Sequence, residues 1–489
     1  MRGSTHTFIL EGVDAAPCRV EAAVINGRTP RTTVVGLPDA AVREAVDRVQ
    51  AAMEVSGLKY PEGRVTINLS PASHRKEGPS YDLPIAIALM LAGGMLDRAA
   101  RSRAADCLFA GELRLDGGLA AITGGVAMAD LAARSKVGTV ILPFESAGVA
   151  ALVGGVRVLS ATSLLDVVQH LAGGQPLPPA EPMRLLRGSA DVDLADVRGQ
   201  ALPRRALAVA AAGWHNLLMV GPPGTGKTTL ARCLPGILPP PSPLETLEMA
   251  RVASVVGAVP SRSRPFRSPH HTASAAAIVG GGARPRPGEI TLAHHGVLFL
   301  DELPEFARPA LEALREPLER DEVRIARAGG RVCFPARVLL VAAMNPTRSG
   351  HGRPGSDGSL HRLSGPLLDR IDLHVEVPSV PIRMLSGEGH GQSSEVVRKR
   401  ILTARRMQRN RQGGVLNGRL SSRQLDAWAV MRPGAEAVLQ RSVEDLGLSA
   451  RAWDRLRRVA RTLADLDELD VIEEAHVAEA VQFRWLDRS

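Results

Sequence analysis

The sequence predicts an α/β protein of several domains, with a parallel-sheet domain between a smaller α/β domain and a helical C-terminal region. Three observations predict this class. An apolar run, a glycine-rich loop and a helix-forming segment follow one another at 216–234. Two further apolar runs, at 297–300 and 338–344, each end in polar residues. Residues from about 395 onward carry only helical patterns.

Composition places the chain among globular proteins. Its 489 residues are enough for several domains, and 45% hydrophobic with 23% charged residues is typical of soluble folds. No apolar run reaches the length of a membrane span, and the N-terminus lacks the apolar core of a signal peptide. We therefore expect a cytoplasmic protein with no membrane partner. The four cysteines are scattered and form neither a disulfide framework nor a four-cysteine zinc site.

The charge favours a polyanionic partner. The formal net charge is +9 and the pI is near 10.1, which suits nucleic acid first and an anionic membrane second. An arginine-rich surface without such a partner remains the alternative. Aromatic residues make up only 3% of the chain, so a base-stacking groove is poorly supplied. Contacts from arginine and backbone to phosphate would carry nucleic-acid binding.

Composition shifts and alternating patterns divide the chain. Residues up to about 172 alternate strand-like and helix-like stretches, and a segment rich in glycine and proline follows them. The predicted parts are an α/β domain at 1–172, a linker at 173–190, the nucleotide domain at 191–394 and a helical domain at 395–489.

The phosphate-binding pattern G-x-x-x-x-G-K-[ST] is complete at 221–228. Its glycines let backbone N–H groups turn inward toward phosphate oxygens. Lys227 is predicted to reach the β- and γ-phosphates, and the Thr228 hydroxyl to ligate Mg²⁺, so ATP and Mg²⁺ are the expected cofactors. Lysine is scarce in this arginine-rich chain, so a lysine at the position that the pattern requires is not expected by chance. The predicted nucleotide contacts are Gly221, Pro222, Pro223, Gly224, Thr225, Gly226, Lys227, Thr228 and Thr229.

Two later strands end in residues suited to hydrolysis. Asp301 and Glu302 follow the apolar run 297–300. Asp301 is predicted to hold Mg²⁺ through water, and Glu302 to polarise the attacking water. Asn345 ends the run 338–344 and is predicted to orient that water or the γ-phosphate. A strand-terminating asparagine without a role is the alternative for Asn345.

A stretch rich in glycine, proline and arginine, 262–289, precedes the second strand. The histidine pairs His270/His271 and His294/His295 lack the spacing and the acid cluster of a zinc site. They are expected to be loop residues near nucleotide or nucleic acid.

Between the last two strands, Pro309 to Glu319 is predicted to form a helix. Two alternating runs then meet at Gly329-Gly330, which is a β-hairpin pattern with Arg327 and Arg331 near its tip.

Part of the first domain resembles the Lon protease domain, which has a ribosomal-protein-S5-like fold. The similar stretches are 76–80 and 111–143. Ser80 stands where that family has its nucleophile, but the position of the family's lysine is occupied by Met128. A thioether cannot accept the serine proton. Ser80 is therefore interpreted as a turn residue, and an ATP-dependent peptidase is the least favoured function.

With these motifs in place, nearly the whole chain resembles the magnesium-chelatase-like AAA+ ATPases of the YifB/ComM family. The motifs that carry the resemblance are GPPGTGKT, RPFRSPHHTAS, GVLFLDELPEF, LSGPLLDRIDLHVEVP and LSARAWDRL. The family implies an S5/Lon-protease-like N-terminal domain, an AAA+ P-loop parallel-sheet domain and a C-terminal α-helical lid. One departure is clear: the family often has a cysteine cluster after Asn-Pro, whereas 347–361 contains no cysteine. A zinc-like site there is excluded for this chain.

The resemblance also implies roles for several arginines. Arg370 is the implied arginine finger, offered to a neighbouring subunit's nucleotide, and Arg451 the sensor-2 arginine, reaching the γ-phosphate from the lid. The hairpin resembles the pre-sensor-1 hairpin that points into the pore of ring helicases, and 262–289 resembles their helix-2 insert. The implied DNA contacts are Arg324, Arg327 and Arg331.

These roles lead to one expected function and two alternatives. The chain is expected to form a homo-hexamer on nucleotide or DNA binding and to hydrolyse ATP while acting on single-stranded or branched DNA. Branch migration in recombination or natural transformation would be its process. The first alternative is a chelatase-like ATPase that remodels a protein partner. The second is the peptidase.

Overall fold

A computed structural model describes residues 2–25, 31–186, 188, 191–282, 285–327, 330–347, 363–381, 391–484 and 486. The chain divides into two compact units, and each is made from several chain segments. The first unit comprises Met1–Leu186, Pro243–Ser261 and Arg324–Phe334. The second comprises Arg187–Ser242, Arg262–Val323 and Pro335–Ser489.

The strands of the described residues follow in chain order. They are β1 (Arg2–Glu11), β2 (Asp14–Ile25), β3 (Arg31–Val35), β4 (Arg64–Ser70), β5 (Cys107–Phe109), β6 (Glu112–Leu113), β7 (Leu119–Ala120), β8 (Thr139–Pro143), β9 (Arg157–Ala161), β10 (Leu217–Val220), β11 (Phe266–Arg267), β12 (Gly280–Gly281), β13 (Arg286–Pro287), β14 (Val297–Leu300), β15 (Glu322–Arg327), β16 (Gly330–Pro335), β17 (Leu339–Met344) and β18 (Leu373–Glu376).

The α-helices of the same residues are given in the same order. They are α1 (Ala40–Val55), α2 (Asp82–Gly93), α3 (Arg98–Ala105), α4 (Gly125–Ser135), α5 (Phe144–Ala150), α6 (Leu164–Ala172), α7 (Ala201–Gly213), α8 (Lys227–Arg232), α9 (Leu234–Ile237), α10 (Pro243–Val255), α11 (Ala275–Val279), α12 (Glu289–Leu292), α13 (Arg308–Ala313), α14 (Arg315–Arg320), α15 (Gly365–Leu368), α16 (Ser394–Gln412), α17 (Ser422–Trp428), α18 (Pro433–Asp445), α19 (Ala450–Leu466) and α20 (Glu474–Gln482). None of the described helices combines the length and the apolarity needed to cross a bilayer.

The first unit is built on a mixed sheet of seven strands in the order β3-β4-β2-β1-β5-β8-β9. Alternate residues of its strands enter two different apolar clusters, as Phe8 and Ile9 do, because successive side chains point to opposite faces. Helix α2 is buried along nearly all its length, which matches its almost wholly apolar sequence. Its Pro84 lies in the first turn, where a missing N–H breaks no helical hydrogen bond.

Ser80 and Met128, the positions that correspond to the peptidase dyad, lie in different surroundings. Ser80 sits in a short 3₁₀ turn, Pro79–Tyr81, and its carbonyl accepts a hydrogen bond from the Gly111 N–H at 3.1 Å. Tyr81 belongs to the apolar cluster on one face of the sheet. Met128 is fully buried in the cluster on the other face.

We therefore predict that the protein has no serine peptidase activity. The position of the family's lysine holds the buried Met128, and Lys76 donates instead to the carbonyls of Pro71 and His74. The measurement is labelling of the intact protein by a fluorophosphonate probe, followed by mass spectrometry of the peptide that contains Ser80. We expect no adduct. Labelling of wild type that disappears in Ser80→Ala would contradict this expectation.

Two segments inserted in the nucleotide-domain sequence pack within the first unit. Arg251 of α10 forms ion pairs with Asp14 and Asp130, each at 3.0 Å. The Gly124 N–H donates to the carbonyl of Ser254 at 3.1 Å. The hairpin β15–β16 lies against the β1–β2 turn, where a methyl group added at Gly12 would stand 2.8 Å from the carbonyl oxygen of Cys333.

The second unit contains a five-stranded sheet in the order β11-β14-β17-β10-β18, with every neighbouring pair parallel. Strands β10, β14 and β17 are buried at every residue, as expected for a parallel sheet covered on both faces. The sheet and the C-terminal helices share one apolar core, in which Leu217 and Val375 join Leu463 of α19. The predicted fold class is confirmed; the domain boundaries stay a prediction.

A buried polar network links the C-terminal helices to the start of β10. His215 lies 3.2 Å from the Asp372 carboxylate and 2.7 Å from the Thr462 hydroxyl. Farther along α19, the buried Asp465 pairs with Arg411 at 2.7 Å and with Arg461 at 3.0 Å. Removing one partner from such a buried pair costs about 3–5 kcal/mol, so this network fixes the helices on the sheet.

Two sequence-based expectations change in detail. The single helix predicted over Pro309 to Glu319 is two short helices, α13 and α14. Pro317 explains the break, because it has no N–H to donate and its ring crowds the carbonyl four residues earlier. The predicted hairpin is present as β15 and β16, but its tip at 328–329 lies outside the described residues.

Candidate nucleotide-binding site

The topology of the second unit brings three sequence motifs to one edge of the sheet. Strands β10 and β17 are parallel neighbours, with Val220 opposite Met344. Gly221, which begins the loop, therefore lies beside the residue that follows β17, and its N–H donates to the Met344 carbonyl at 3.2 Å. Strand β14, which ends before Asp301, is the next neighbour of β17. Ligands of open parallel sheets bind at this carboxyl edge.

The conformation of the loop requires its glycines. Gly224 and Gly226 have φ values of +77° and +85°, a region that is strained for other residues. Gly221 is needed for space, because a methyl group there would lie 2.1 Å from the Val377 carbonyl oxygen. The fixed glycine positions give the open backbone that a phosphate group needs.

Lys227 is buried and turned into the loop. Its Nζ donates to the carbonyl oxygens of Gly221 at 2.6 Å and Pro222 at 2.8 Å, and to Asn345 Oδ1 at 3.2 Å. Burial lowers the pKa of Lys227, and the nearby charges of Asp301 and Glu302 oppose that change. The ammonium group is therefore held at the loop by acceptors that phosphate oxygens can replace.

Thr228 and Asp301 meet across the site. The Thr228 hydroxyl donates to Asp301 Oδ2 at 2.7 Å. A hydroxyl and a carboxylate so close together are the oxygen ligands that Mg²⁺ takes, one from the loop and one from the end of β14. The donor set therefore fits a magnesium ion, with Asp301 acting directly or through water.

Glu302 has an unusual backbone and a specific partner. Its φ is +52°, and its side chain is 56% exposed, so the carboxylate faces solvent at the edge of the sheet. His271 Nδ1 lies 3.2 Å from Glu302 Oε2. From the sequence alone, His271 is expected only to be a loop residue near nucleotide or nucleic acid. Its position shortly after β11, the strand beside β14, is the signal that could have found this contact.

A cavity of about 290 Å³ adjoins the loop and has the position expected for the base and ribose. Val197 and Arg198 line it. Gln200, with φ of +56°, also lines it and donates from Nε2 to the carbonyls of Thr225 at 3.2 Å and Pro378 at 2.7 Å. This glutamine joins the cavity wall to the phosphate loop.

The two arginines implied as finger and sensor lie together at the other edge of the sheet. Asn216, just before β10, donates from Nδ2 to the Arg370 carbonyl at 2.8 Å. Arg451 lies 3.5 Å from Asp369, the residue before Arg370. Strand β10 is four residues long, so about 13 Å of strand separates that edge from the loop. The structure therefore brings Arg370 and Arg451 to each other and not to the loop of the same chain.

Arg370 has an acidic partner within its own chain. Its guanidinium donates to Glu319 Oε2 at 2.6 Å, and Glu319 belongs to α14. Arg451 is 72% exposed at its side chain. The Arg370 side chain is 25% exposed, so Arg451 stands at the protein surface and Arg370 is partly covered by its own chain.

The implied DNA contacts are residues of the hairpin β15–β16. Arg324 is on β15 and Arg331 on β16, and both are exposed. The side chain of Arg327 lies outside the described residues. The structure groups this hairpin with the first unit, whereas the residues of the nucleotide site belong to the second.

Comparison with known families covers most of the chain. Residues 193–385 match the family described as magnesium chelatase, subunit ChlI. Residues 20–146 match the family described as subunit ChlI of Mg-chelatase. Residues 391–484 match the family described as magnesium chelatase, subunit ChlI C-terminal.

Several proteins are similar over almost their full length. The chain is 44% identical to the uncharacterized protein YifB of Escherichia coli strain K12, over 99% of this chain and 97% of that protein. It is 44% identical to the competence protein ComM of Haemophilus influenzae, over 98% and 96%. A shorter stretch of 86 residues, 18% of this chain and 10% of the other, is 34% identical to the DNA replication licensing factor Mcm6 of Drosophila melanogaster.

Proposed function

The chain belongs to the magnesium-chelatase-like YifB/ComM family of AAA+ ATPases, and we propose that it is a ring-forming motor that couples ATP hydrolysis to movement on DNA. The observation that carries the proposal is the division of catalytic groups between two edges of one sheet. The loop, Asp301 and Glu302 lie at the carboxyl edge, whereas Arg370 lies at the amino edge. One subunit therefore contributes the phosphate loop to one nucleotide site and the arginine finger to the site of a neighbouring subunit.

At the carboxyl edge, each residue has a distinct part in hydrolysis. ATP supplies the γ-phosphoryl group that is transferred to water, and Mg²⁺ neutralises charge on its oxygens. Lys227 binds phosphate oxygens in place of its present carbonyl partners. Thr228 and Asp301 hold the metal ion. Glu302 orients the attacking water and polarises it, while Asn345 fixes the Lys227 ammonium and the γ-phosphate side of the site.

At the amino edge, Arg370 and Arg451 supply positive charge to another subunit. A loop on one edge of a subunit and an arginine on the other give a head-to-tail contact, which closes into a ring when the rotation allows. The Glu319 pairing holds the guanidinium of Arg370 until a neighbouring phosphate competes for it. The hexamer expected from the family resemblance is the ring that we propose.

Three observations support DNA as the partner. The net charge is +9, the hairpin carries arginines at exposed positions, and a relative of 44% identity is named as a competence protein. The partial match to a DNA replication licensing factor is consistent with the same partner. Single-stranded or branched DNA is therefore the proposed substrate, and branch migration during recombination or DNA uptake the proposed process.

A second candidate follows from the family matches, since all three bear the name of a magnesium chelatase subunit. In that case the ring would remodel a protein partner. The test is ATP turnover measured with single-stranded, duplex and branched DNA and without DNA. Stimulation by DNA supports the motor, whereas equal turnover in all four conditions supports the remodelling ATPase.

We predict that Arg327→Ala combined with Arg331→Ala weakens DNA binding and abolishes DNA-stimulated ATP turnover. Arginine near the hairpin tip suits phosphate contact without sequence readout, and each lost contact to duplex DNA lowers the log–log salt slope by about 0.9. Basal turnover should persist, because neither residue belongs to the nucleotide site. Migration of branched DNA at the wild-type rate by the double variant would show that the hairpin is not the motor element.

A further inference from the structure

Helix α16 has a charge unlike that of the rest of the chain. Its 19 residues contain seven basic side chains and one acidic side chain, which gives +6 in a protein whose net charge is +9. Three of the basic residues serve the fold. Arg400 faces Asp467, Arg405 donates to the Ala211 carbonyl, and Arg411 pairs with Asp465. The remaining four are Arg398, whose guanidinium donates to the Gly236 carbonyl at 3.1 Å, Lys399, which pairs with Glu395 at 3.0 Å, and the exposed Arg406 and Arg409.

One end of α16 borders a wide cavity of about 690 Å³. Its lining includes three arginines from other segments, Arg232, Arg262 and Arg264, in addition to Arg398 of the helix. Among the described lining residues Asp191 is the one carboxylate. The cavity is therefore strongly positive, and it belongs to the second unit alone.

The arginines of the cavity differ in their availability. Arg264 is buried and donates to the carbonyls of Pro239 and His295, each at 2.7 Å, so it serves the wall. Arg232 and Arg262 are exposed, and their side chains make no hydrogen bond or ion pair with the part of the chain that the structure describes. Within that part of the chain, these two guanidinium groups keep all their donors for a ligand.

The positive surface continues along α16 beyond the cavity. Arg398 and Leu402 line the cavity, and Arg406 and Arg409 follow at intervals of four and three residues, which keeps them on the same face. The side chains of Arg406 and Arg409 are exposed and make no hydrogen bond or ion pair with other described residues. The face from Arg398 to Arg409 is about 16 Å long at the rise of an α-helix.

We propose that the cavity and this face of α16, together called the outer groove, bind the sugar–phosphate backbone of a nucleic-acid strand. The outer groove is defined by Arg232, Arg262, Arg398, Lys399, Arg406 and Arg409. The proposal rests on the proposed action on DNA and adds a second contact, separate from the hairpin. One strand of duplex DNA carries a phosphate about every 3.4 Å of axis, so a basic face of this length spans several phosphates.

The surroundings of the outer groove favour nucleic acid over an anionic membrane and over a surface charge without a partner. A surface that is basic without a partner would carry its arginines at scattered positions. Here the arginines are clustered along one cavity and one helix face. A helix that lies in an anionic membrane surface combines basic charge with apolar side chains that enter the lipid. Among the described residues of α16, the exposed large apolar side chains are Val396 and Leu402, and Leu402 alone lies on the line from Arg398 to Arg409. A polar chain of phosphates needs only the guanidinium groups.

The first test compares two triple variants of the full-length protein. The groove variant is Arg262→Ala with Arg406→Ala and Arg409→Ala. The control variant removes three exposed arginines elsewhere, by Arg98→Ala with Arg423→Ala and Arg441→Ala. The two variants lose the same net charge. Binding of a fluorescent single-stranded oligonucleotide is measured by anisotropy over a range of salt concentrations, with ATP present.

We expect the groove variant to bind at least about tenfold more weakly near physiological salt, with a log–log salt slope lower by about 2, since each lost contact to a single strand accounts for about 0.7. The control variant should match wild type. Basal ATP turnover should be unchanged in both, because none of the six residues lies at the nucleotide site. Equal losses in the two variants, or none in either, would overturn the groove while leaving DNA binding itself demonstrated. Absence of binding by wild type would instead overturn the proposed action on DNA, and the groove with it.

The second test uses the scarcity of lysine. The chain has lysine at 59, 76, 136, 227 and 399, and of these Lys59, Lys136 and Lys399 are exposed. Acetylation by a water-soluble ester is followed by mass spectrometry with and without the oligonucleotide, with ATP present in both. We expect protection of Lys399 alone. Equal modification of Lys399 in both samples, or its protection by anionic vesicles and not by DNA, would overturn the proposal.

Discussion

Glu302→Gln protein is expected to bind ATP and to hydrolyse it about 10²–10⁴-fold more slowly than wild type, which is the range that a positioned base contributes. The carboxylate lies at the carboxyl edge of the sheet, near the Thr228–Asp301 pair that would hold Mg²⁺. An amide can still accept one hydrogen bond from water but cannot polarise it. Lys227→Ala should fail earlier, at nucleotide binding, because the phosphates lose their cation. Fluorescent ATP binding and phosphate release, measured on the same samples, separate the two effects.

The matched control is Glu316→Gln, which makes the same chemical change on an exposed face of α14. It should leave both binding and turnover unaltered. Lys227 also holds two carbonyl groups of the loop, so thermal melting of the variant without nucleotide must accompany the assay. Near-normal ATP turnover in both Glu302→Gln and Lys227→Ala would show that this edge of the sheet is not the site of hydrolysis.

Arg370→Ala is expected to lower ATP turnover by about 10³–10⁵-fold, the range for an arginine finger, without loss of ATP binding. The reason is position: Arg370 follows α15 and stands at the amino edge, where the Asn216 side chain contacts its backbone. Mixing this variant with Lys227→Ala protein should restore part of the activity. In mixed rings, an intact loop from one subunit then faces an intact arginine from the next.

Two further samples make the mixing experiment decisive. Subunit exchange is verified with differently labelled protein, because unmixed rings would give no recovery for a trivial reason. Glu319→Ala frees Arg370 from its partner and should leave turnover at or above the wild-type level. A verified mixture without any recovered activity would show that Arg370 acts on its own chain.

The part of the site that depends on local order along the chain could be predicted from the sequence. Residues 221–228 and the polar ends of two later apolar strands lie at one edge of the sheet, because parallel strands bring their carboxyl ends together. The helix break at Pro317 was missed because helical periodicity continues through it. The contact of His271 with Glu302 was missed because it joins the ends of neighbouring strands that are distant in sequence.

Pairings between distant segments account for the features that the sequence did not reveal. The family resemblance implies that Arg451 contacts a γ-phosphate. It does not indicate near which edge of its own sheet Arg451 lies. Its contact with Asp369 depends on how α19 packs, which the buried network of Asp465 sets. Likewise, nothing in the local pattern of α10 indicates that Arg251 will pair with Asp14 and Asp130. Such partners are determined by tertiary packing, which sequence periodicity does not encode.

Because each unit is made from several chain segments, the two units cannot be separated by a single cut in the chain. The chain passes from one unit to the other at five places, only one of which is near the predicted linker. A protease cut in 173–190 would therefore leave the N-terminal fragment attached through α10, held by the Arg251 ion pairs, and through the β15–β16 hairpin. A recombinant fragment that begins at 191 would instead expose surfaces that the first unit covers, including Leu247 of α10. Clipped protein should elute as one particle, and truncated protein should aggregate.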